Sequence, residues 1–187
     1  MKTNIKFLLL TAGLLAAPLA CQQTYSLQPS SAVVLPTPAP CSGAVSFGRF
    51  STLWDYSHGA NYIEASLYTL SDSAHLTSIN VYCRYAGAIR AGIYGDGIGS
   101  PGALIAQTPS VSALPGWFSI PLSPSVALAP GNYWLAVISS TTGLIVSQSG
   151  VGNKIYQYQT YGALPNFLTS PTTGNFSILI NASYTCP

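Results

Sequence analysis

The chain has 187 residues, enough for one domain with a terminal extension, and only 5% of them carry a charged side chain. Ordinary soluble domains have about 25% charged residues. Without the two lysines near the start, Lys2 and Lys6, acidic and basic side chains are equal in number. The lack of a basic patch argues against nucleic acid as a partner. The many aliphatic and aromatic residues argue against a disordered chain.

The first twenty residues have the pattern of a secretory signal peptide, because two lysines precede an uncharged segment at 7–20 that is mostly Leu and Ala. This segment is too short for a membrane-spanning helix. Cys21 follows Ala20 directly, as in a bacterial lipoprotein signal, where the cysteine is lipidated. Pro18 stands where that signal normally has Leu, so ordinary cleavage nearby and release of a soluble protein is the alternative.

Both readings of the N-terminus predict a place outside the cytoplasm, at the outer surface or in the periplasm if the protein is anchored, and secreted otherwise. The membrane is then contacted only through an N-terminal lipid. Residues 21–40 are rich in Pro, Ser and Thr and carry no charge. They are expected to form a semi-rigid tether, with an ordinary disordered N-terminus as the alternative.

The folded domain is expected at residues 41–187, with a disulfide between its two ends. Cys41 lies at the start of this domain and Cys186 at the end of its last strand. The ends of a domain often lie close together, and an oxidising compartment favours a disulfide. Cys83, by contrast, is expected to stay a buried, inert thiol.

Short runs of strand-forming residues alternate with turn residues from Gly43 onward. Ile79, Val81 and Cys83 share one side of a strand, and Asn80 lies on the other. One apolar and one polar face is typical of antiparallel sheets. The pattern predicts an all-β fold, an antiparallel two-sheet β-sandwich that is jelly-roll-like. The predicted strands are 43–50, 61–70, 75–85, 88–95, 103–111, 116–122, 132–140, 143–148, 154–160 and 176–185.

The glycine-rich segment from Gly95 to Gly102 joins two predicted strands. Its glycines permit positive φ, Pro101 favours a turn, and the Asp96 side chain can accept hydrogen bonds from nearby backbone amides. A β-hairpin loop is therefore expected. The alternative is a calcium site at Asp96. Calcium takes six to eight oxygen ligands, and this loop offers a single carboxylate, which is weak support for such a site. No other cofactor is indicated.

Three phrases follow one another in this part of the chain: GIYGDGIGSPGALIAQT at 92–108, GWFSIPL at 116–122 and VALAPGNYWLAV at 126–137. Together they resemble a bacterial extracellular β-sandwich module, the kind found in "choice-of-anchor" surface proteins and beside secreted enzymes. The resemblance implies the sandwich fold and says almost nothing about function.

Both sides of the predicted strand at 132–140 are apolar, with Leu135 on one side and Trp134 on the other. This strand is expected at the centre of a sheet that is covered on both faces. Trp117 and Trp134 are both expected in the core rather than as surfaces for a ligand. In the strand at 88–95, Tyr94 is expected on the polar side.

Groups suited to catalysis are few, since the chain has two histidines and four acidic residues. His58 has Asp55 and Ser57 beside it, the residue types of a catalytic triad. Neighbours in an extended segment point in opposite directions, however, which argues against a triad there. Glu64 and Asp72 are expected to be solvated surface acids. The sequence therefore predicts a protein that is not an enzyme.

Binding is the more plausible role, because aromatic rings lie beside hydrogen-bonding side chains in one loop between strands. Flat rings with such neighbours suit the faces of sugars. In the alternative, Trp54 only plugs the end of the sandwich. The candidate ligand-binding residues are Trp54, Asp55, Tyr56, His58, Asn61 and Tyr62.

The expected function is that of a non-catalytic surface module for adhesion or ligand binding, with a glycan or another surface protein as its partner. The alternative is a structural subunit of a self-associating cell-surface assembly. Low charge motivates this second reading, since little repulsion keeps copies apart.

Overall fold

The computed structural model describes residues 45–187. Two antiparallel sheets pack against each other, which confirms the predicted all-β sandwich. The predicted signal peptide, Cys21, the tether and Cys41 lie outside the described residues, so lipidation and the Cys41–Cys186 pairing stay predictions. The strands are β1 (Val45–Gly48), β2 (Tyr56–Ser57), β3 (Tyr62–Leu70), β4 (Ala74–Cys83), β5 (Gly87–Asp96), β6 (Pro101–Gln107), β7 (Val111–Ala113), β8 (Gly116–Leu128), β9 (Gly131–Ser139), β10 (Val146–Tyr158), β11 (Thr172–Ile178) and β12 (Ile180–Thr185).

The smaller sheet has the strand order β1-β12-β4-β8, and the larger has the order β11-β10-β3-β9-β5-β6. Two short strands lie off this path, where β2 pairs with β10 and β7 pairs with β5. Within residues 45–187 there is no helix long and apolar enough to cross a membrane.

The main core lies between the two sheets. In β4, Ile79, Val81 and Cys83 are buried in it, as the alternation predicts. Cys83 is a free thiol, and burial raises its pKa to about 12. The prediction that Cys83 is a buried thiol is therefore confirmed.

A second core lies on the opposite face of the larger sheet. Leu135 of β9 belongs to the core between the sheets, whereas Trp134 belongs to the second cluster. The expectation that this strand is covered on both faces is confirmed. Leu164 and Leu168, from the segment between β10 and β11, cover the second face. Tyr94 was expected on a polar side, but it is fully buried in this cluster, and its hydroxyl donates to a backbone carbonyl.

The predicted strand 176–185 is wrong as a single element, because it is divided between the two sheets. β11 ends at Ile178 and pairs with β10, whereas β12 begins at Ile180 and pairs with β1 and β4. Leu179, almost fully buried, is the crossing point. Ile178 and Ile180 both face the core between the sheets, so the alternation continues through the crossing and conceals it.

β8 continues to Leu128, beyond its predicted end at 122. Pro121 and Pro124 are tolerated inside it because β8 is an edge strand of the smaller sheet. Trp117, expected in the core, is 37% exposed, because it lies on the outer face of this strand, whereas Trp134 is 1% exposed as predicted. The predicted strand 103–111 is two strands, β6 and β7.

The segment between β5 and β6 is a hairpin, as expected. Gly97 N donates to Ser100 O at 2.7 Å, and Gly99 has a φ of 81°. Asp96 Oδ1 accepts hydrogen bonds from Gly99 N and from Trp134 Nε1, both at 3.0 Å. The carboxylate therefore ties the hairpin turn to the second core.

Candidate functional site

A cavity of about 290 Å³ lies where β2, β3, β10 and β11 meet, at one side of the larger sheet. Aromatic rings and ionisable side chains line it together. We call it the aromatic pocket. Its lining residues are Tyr56, His58, Gly59, Tyr62, Glu64, Lys154, Tyr156 and Phe176.

An irregularity in β10 positions one wall of the aromatic pocket. The predicted strands 143–148 and 154–160 are one strand, whose register against β11 shifts between Ser149 and Lys154. Gly150 and Gly152 have φ angles of 72° and 85°, which glycine adopts easily. After this bulge, Tyr156 lies directly opposite Glu64 of β3, and opposed side chains share one face of a sheet.

Three buried ionisable side chains, His58, Glu64 and Lys154, meet in the pocket, and we call them the polar trio. Each is at most 4% exposed. Lys154 Nζ lies 2.6 Å from Glu64 Oε2 and 3.2 Å from His58 Nδ1. His58 Nδ1 lies 3.1 Å from Glu64 Oε1. Glu64 thus faces the ammonium with Oε2 and the imidazole with Oε1.

Burial and charge act in opposite directions on the lysine. Desolvation lowers the pKa of Lys154, and the adjacent Glu64 carboxylate opposes this by its charge and its hydrogen bond. The short contact favours the ionised pair, because an isolated buried charge is far more costly than a paired one.

Aromatic rings surround the polar trio. Lys154 Nζ lies 5.1 Å from the ring centroid of Tyr156 and 5.0 Å from that of Phe176, within the range of cation–π attraction. Tyr56 packs at 5.0 Å against both the His58 ring and the Phe176 ring. The rings hold the three polar groups in place and give the cavity apolar walls.

His58 also contacts a serine, in an order that resembles a catalytic triad. Its Nε2 lies 2.8 Å from Ser147 Oγ, while its Nδ1 faces Glu64. Ser147 is 0% exposed, however, and it is not one of the residues that line the cavity. Lys154 as a donor to Nδ1 places the imidazole proton on Nε2, which then donates to Ser147, whereas Glu64 as an acceptor from Nδ1 leaves Nε2 to accept from Ser147. In either tautomer the contact holds the imidazole in place.

The structure separates the six predicted ligand-binding residues into two groups. Tyr56, His58 and Tyr62 line the aromatic pocket, whereas the other three do not. Trp54 lies under the guanidinium of Arg84, 4.7 Å from it.

Asp55 and Asn61 hold the loop in place instead of facing the cavity. Asp55 accepts hydrogen bonds from the backbone and hydroxyl of Ser149, and these keep the pKa of its carboxyl below the ordinary value. Asn61 has a φ of 65°, and its Oδ1 accepts from Tyr161 N at 2.9 Å.

Five pocket residues lie outside the predicted set: Gly59, Glu64, Lys154, Tyr156 and Phe176. The expectation that Glu64 is a solvated surface acid is wrong, whereas Asp72 is exposed as expected. The available signal was the position of Glu64 inside the apolar strand YIEASLYTL, since a charge within such a strand is buried when a partner meets it. The second histidine, His75, lies in β4 of the smaller sheet and does not line the pocket.

Among residues 45–187, no group of three or more His, Cys, Asp or Glu side chains is placed to hold a metal ion. Asp96 uses one carboxylate oxygen for the hairpin and for Trp134, and a calcium site there stays a prediction. No family model and no curated protein matches this chain.

Proposed function

We propose that the protein is a non-catalytic extracellular surface module that binds a neutral carbohydrate in the aromatic pocket. The observation that carries the proposal is the polar trio enclosed by Tyr62, Tyr156 and Phe176. A sugar ring offers apolar C–H faces that pack on aromatic rings, and its hydroxyls both donate and accept hydrogen bonds. Ligand sites of this kind combine mostly apolar walls with a few placed polar groups.

The charge of the pocket supports a neutral ligand. Glu64 and Lys154 balance each other, so the cavity does not attract an ion of either sign when His58 is neutral. An ammonium beside a carboxylate offers a donor and an acceptor side by side, which matches two neighbouring hydroxyls of one sugar. The volume, about 290 Å³, is near the lower end of the range for small-molecule sites, about 300–1,000 Å³. A terminal sugar suits it better than the middle of a long chain.

The lining also supports a role without catalysis. Glycoside hydrolysis normally uses two carboxyl groups that face each other across the sugar. Glu64 is the single carboxylate among the described residues that line the pocket. Acyl transfer needs a nucleophile that the substrate can reach. The Ser147 hydroxyl is fully buried, which also supports a role without catalysis.

The sequence features of the N-terminus support a place outside the cytoplasm. They comprise the predicted signal peptide and Cys21 as a lipidation site, and the resemblance of residues 92–137 to surface modules supports the same place. Intact mass of the native protein tests this part of the proposal, because cleavage, lipid and a Cys41–Cys186 disulfide each change the mass. An uncleaved N-terminus would contradict it.

The test of the pocket is a glycan array followed by calorimetry on the glycans that bind. Phe176→Ala and Tyr156→Ala are expected to weaken binding at least about tenfold, as truncated aromatic anchors commonly do. Phe167→Ala is the matched control, since Phe167 is 61% exposed and does not line the pocket. The proposal is wrong if no neutral glycan binds, or if folded Phe176→Ala binds as the wild type does.

A further inference from the structure

A second hollow, of about 250 Å³, lies on the outer face of the smaller sheet. We call it the outer-face hollow. In β4, Asn80 lies opposite Asn181 of β12 and opposite Ser119 of β8. Opposed side chains share a face, and the residues on either side of Asn80 point into the core, so these polar groups point outward. The hollow is lined by Phe50, Asn80, Trp117, Ser119 and Asn181.

Two of the side chains that line this hollow are exposed aromatic rings. Trp117 is 37% exposed and Phe50 is 54% exposed. Trp117 is opposite Tyr82 in the ladder, and the two rings make an edge contact with centroids 5.7 Å apart. This contact holds the indole in place while one part of it remains accessible, which is what a stacking surface for a ligand requires.

The amino group of a largely buried asparagine faces the hollow without an acceptor. Asn181 is 5% exposed, and its Oδ1 accepts from Asn80 Nδ2 at 2.7 Å. Asn80 also donates to Ser183 Oγ at 2.9 Å, which fixes the orientation of this amide pair. The Asn181 amino group donates to no other described residue, and the Ser119 hydroxyl is equally unused within them. The Asn181 amino nitrogen is open to the hollow rather than enclosed, so it can donate to a ligand hydroxyl beside the tryptophan.

We propose that the outer-face hollow is a second carbohydrate site, which takes a stretch of neutral polysaccharide chain. The five lining side chains are all uncharged, so they suit a ligand without charge. One sugar ring stacks on Trp117, and its hydroxyls bond the Asn181 amino group and the Ser119 hydroxyl. Phe50 and Trp117 are both exposed at the hollow, so a chain of more than one sugar can contact both rings.

Native gel electrophoresis in gels that contain a soluble neutral polysaccharide tests this site directly. The probes are dextran, galactomannan, xyloglucan and mixed-linkage β-glucan, each compared with a gel without polysaccharide. The full chain is expected to be retarded by at least one of them. Trp117→Ala is expected to weaken that binding at least about tenfold. Trp54→Ala is the matched control, because Trp54 is 36% exposed and lies outside the hollow.

A second variant guards against loss of folding in Trp117→Ala. Ser119→Lys places a long side chain in the hollow from an exposed position, and it should abolish the retardation while the circular-dichroism spectrum is unchanged. Phe176→Ala, in the aromatic pocket, should keep the retardation that the hollow provides. A loss of binding at the aromatic pocket is thus distinguished from a loss of binding at the outer-face hollow.

Three outcomes overturn the proposal. One is a wild type that no probe retards, and another is a folded Trp117→Ala that migrates as the wild type does in every gel. The third comes from sedimentation velocity: a dimer that Trp117→Ala dissociates, with retardation unchanged, would make this face a contact between copies.

Discussion

Lys154 Nζ lies 2.6 Å from Glu64 Oε2, and neither side chain is more than 4% exposed. A buried ion pair contributes little net stability compared with an apolar pair, but removing one partner is costly because a buried charge is left uncompensated. Because removing one partner is costly, the effect of the ion pair can be measured from the free energy of unfolding, without any ligand.

Glu64→Gln is expected to lower the free energy of unfolding by about 3–5 kcal/mol, because Lys154 then stays buried without its counter-charge. The double variant Glu64→Gln/Lys154→Met should recover much of that loss. Urea unfolding at neutral pH measures both. Asp72→Asn, at an exposed acid, is the control and should stay within about 0.5 kcal/mol of the wild type. A Glu64→Gln protein as stable as the wild type would contradict the buried pair.

Ser147 is expected to resist serine-directed reagents. Its hydroxyl is fully buried and does not line the aromatic pocket. Incubation of the folded protein with a fluorophosphonate, followed by intact-mass analysis, should show no adduct. Ser147→Ala should cost about 1 kcal/mol through the lost hydrogen bond. An adduct on Ser147 would make this residue a nucleophile and refute a role without catalysis.

Asp96→Ala is expected to destabilise the protein by about 1–3 kcal/mol, because the indole N–H of Trp134 is left buried without an acceptor. The hairpin turn also loses its hydrogen bond from Gly99. Asp96→Asn keeps a carbonyl oxygen at the same place and should retain part of the stability. Thermal unfolding with calcium or with a chelator, on all three proteins, separates this structural role from a cation site. A wild type that calcium stabilises, with no effect on Asp96→Ala, would favour the calcium site.

Cys83 is expected to make the protein less stable at alkaline pH. Its pKa is about 12 in the folded protein and 9.0 when unperturbed, so the folded state keeps a proton that the unfolded state loses. This contribution is complete below pH 9 and falls as the pH rises toward 12, by about 1.4 kcal/mol per pH unit. Cys83→Ala lacks it, so the difference in unfolding free energy between wild type and variant should shrink from pH 8 to pH 10.5. A constant difference would refute the shift.

The alternation of side chains along the sequence predicts the burial of each residue correctly where a strand keeps one face toward one core. Examples are β9 and the part of β4 from Ile79 to Cys83, since the residues on each side lie where the period of two predicts. The alternation did not reveal the change of sheet at Leu179. Both sheets turn their apolar faces toward the same core, so the apolar residues keep their spacing when the chain passes from one sheet to the other. The alternation failed also at Tyr94, whose outer side is covered by the segment that carries Leu164.

The sequence by itself determined the all-β sandwich, because alternating apolar and polar side chains can bury one face only by stacking two sheets. It also determined the hairpin at Asp96, since glycines and a proline act locally. Only the tertiary structure decided the aromatic pocket. His58 and Lys154 are 96 positions apart, and they meet because β3 pairs with β10 and a glycine bulge sets the register. Strand pairing depends on contacts between distant segments, and no local pattern encodes which segments become neighbours.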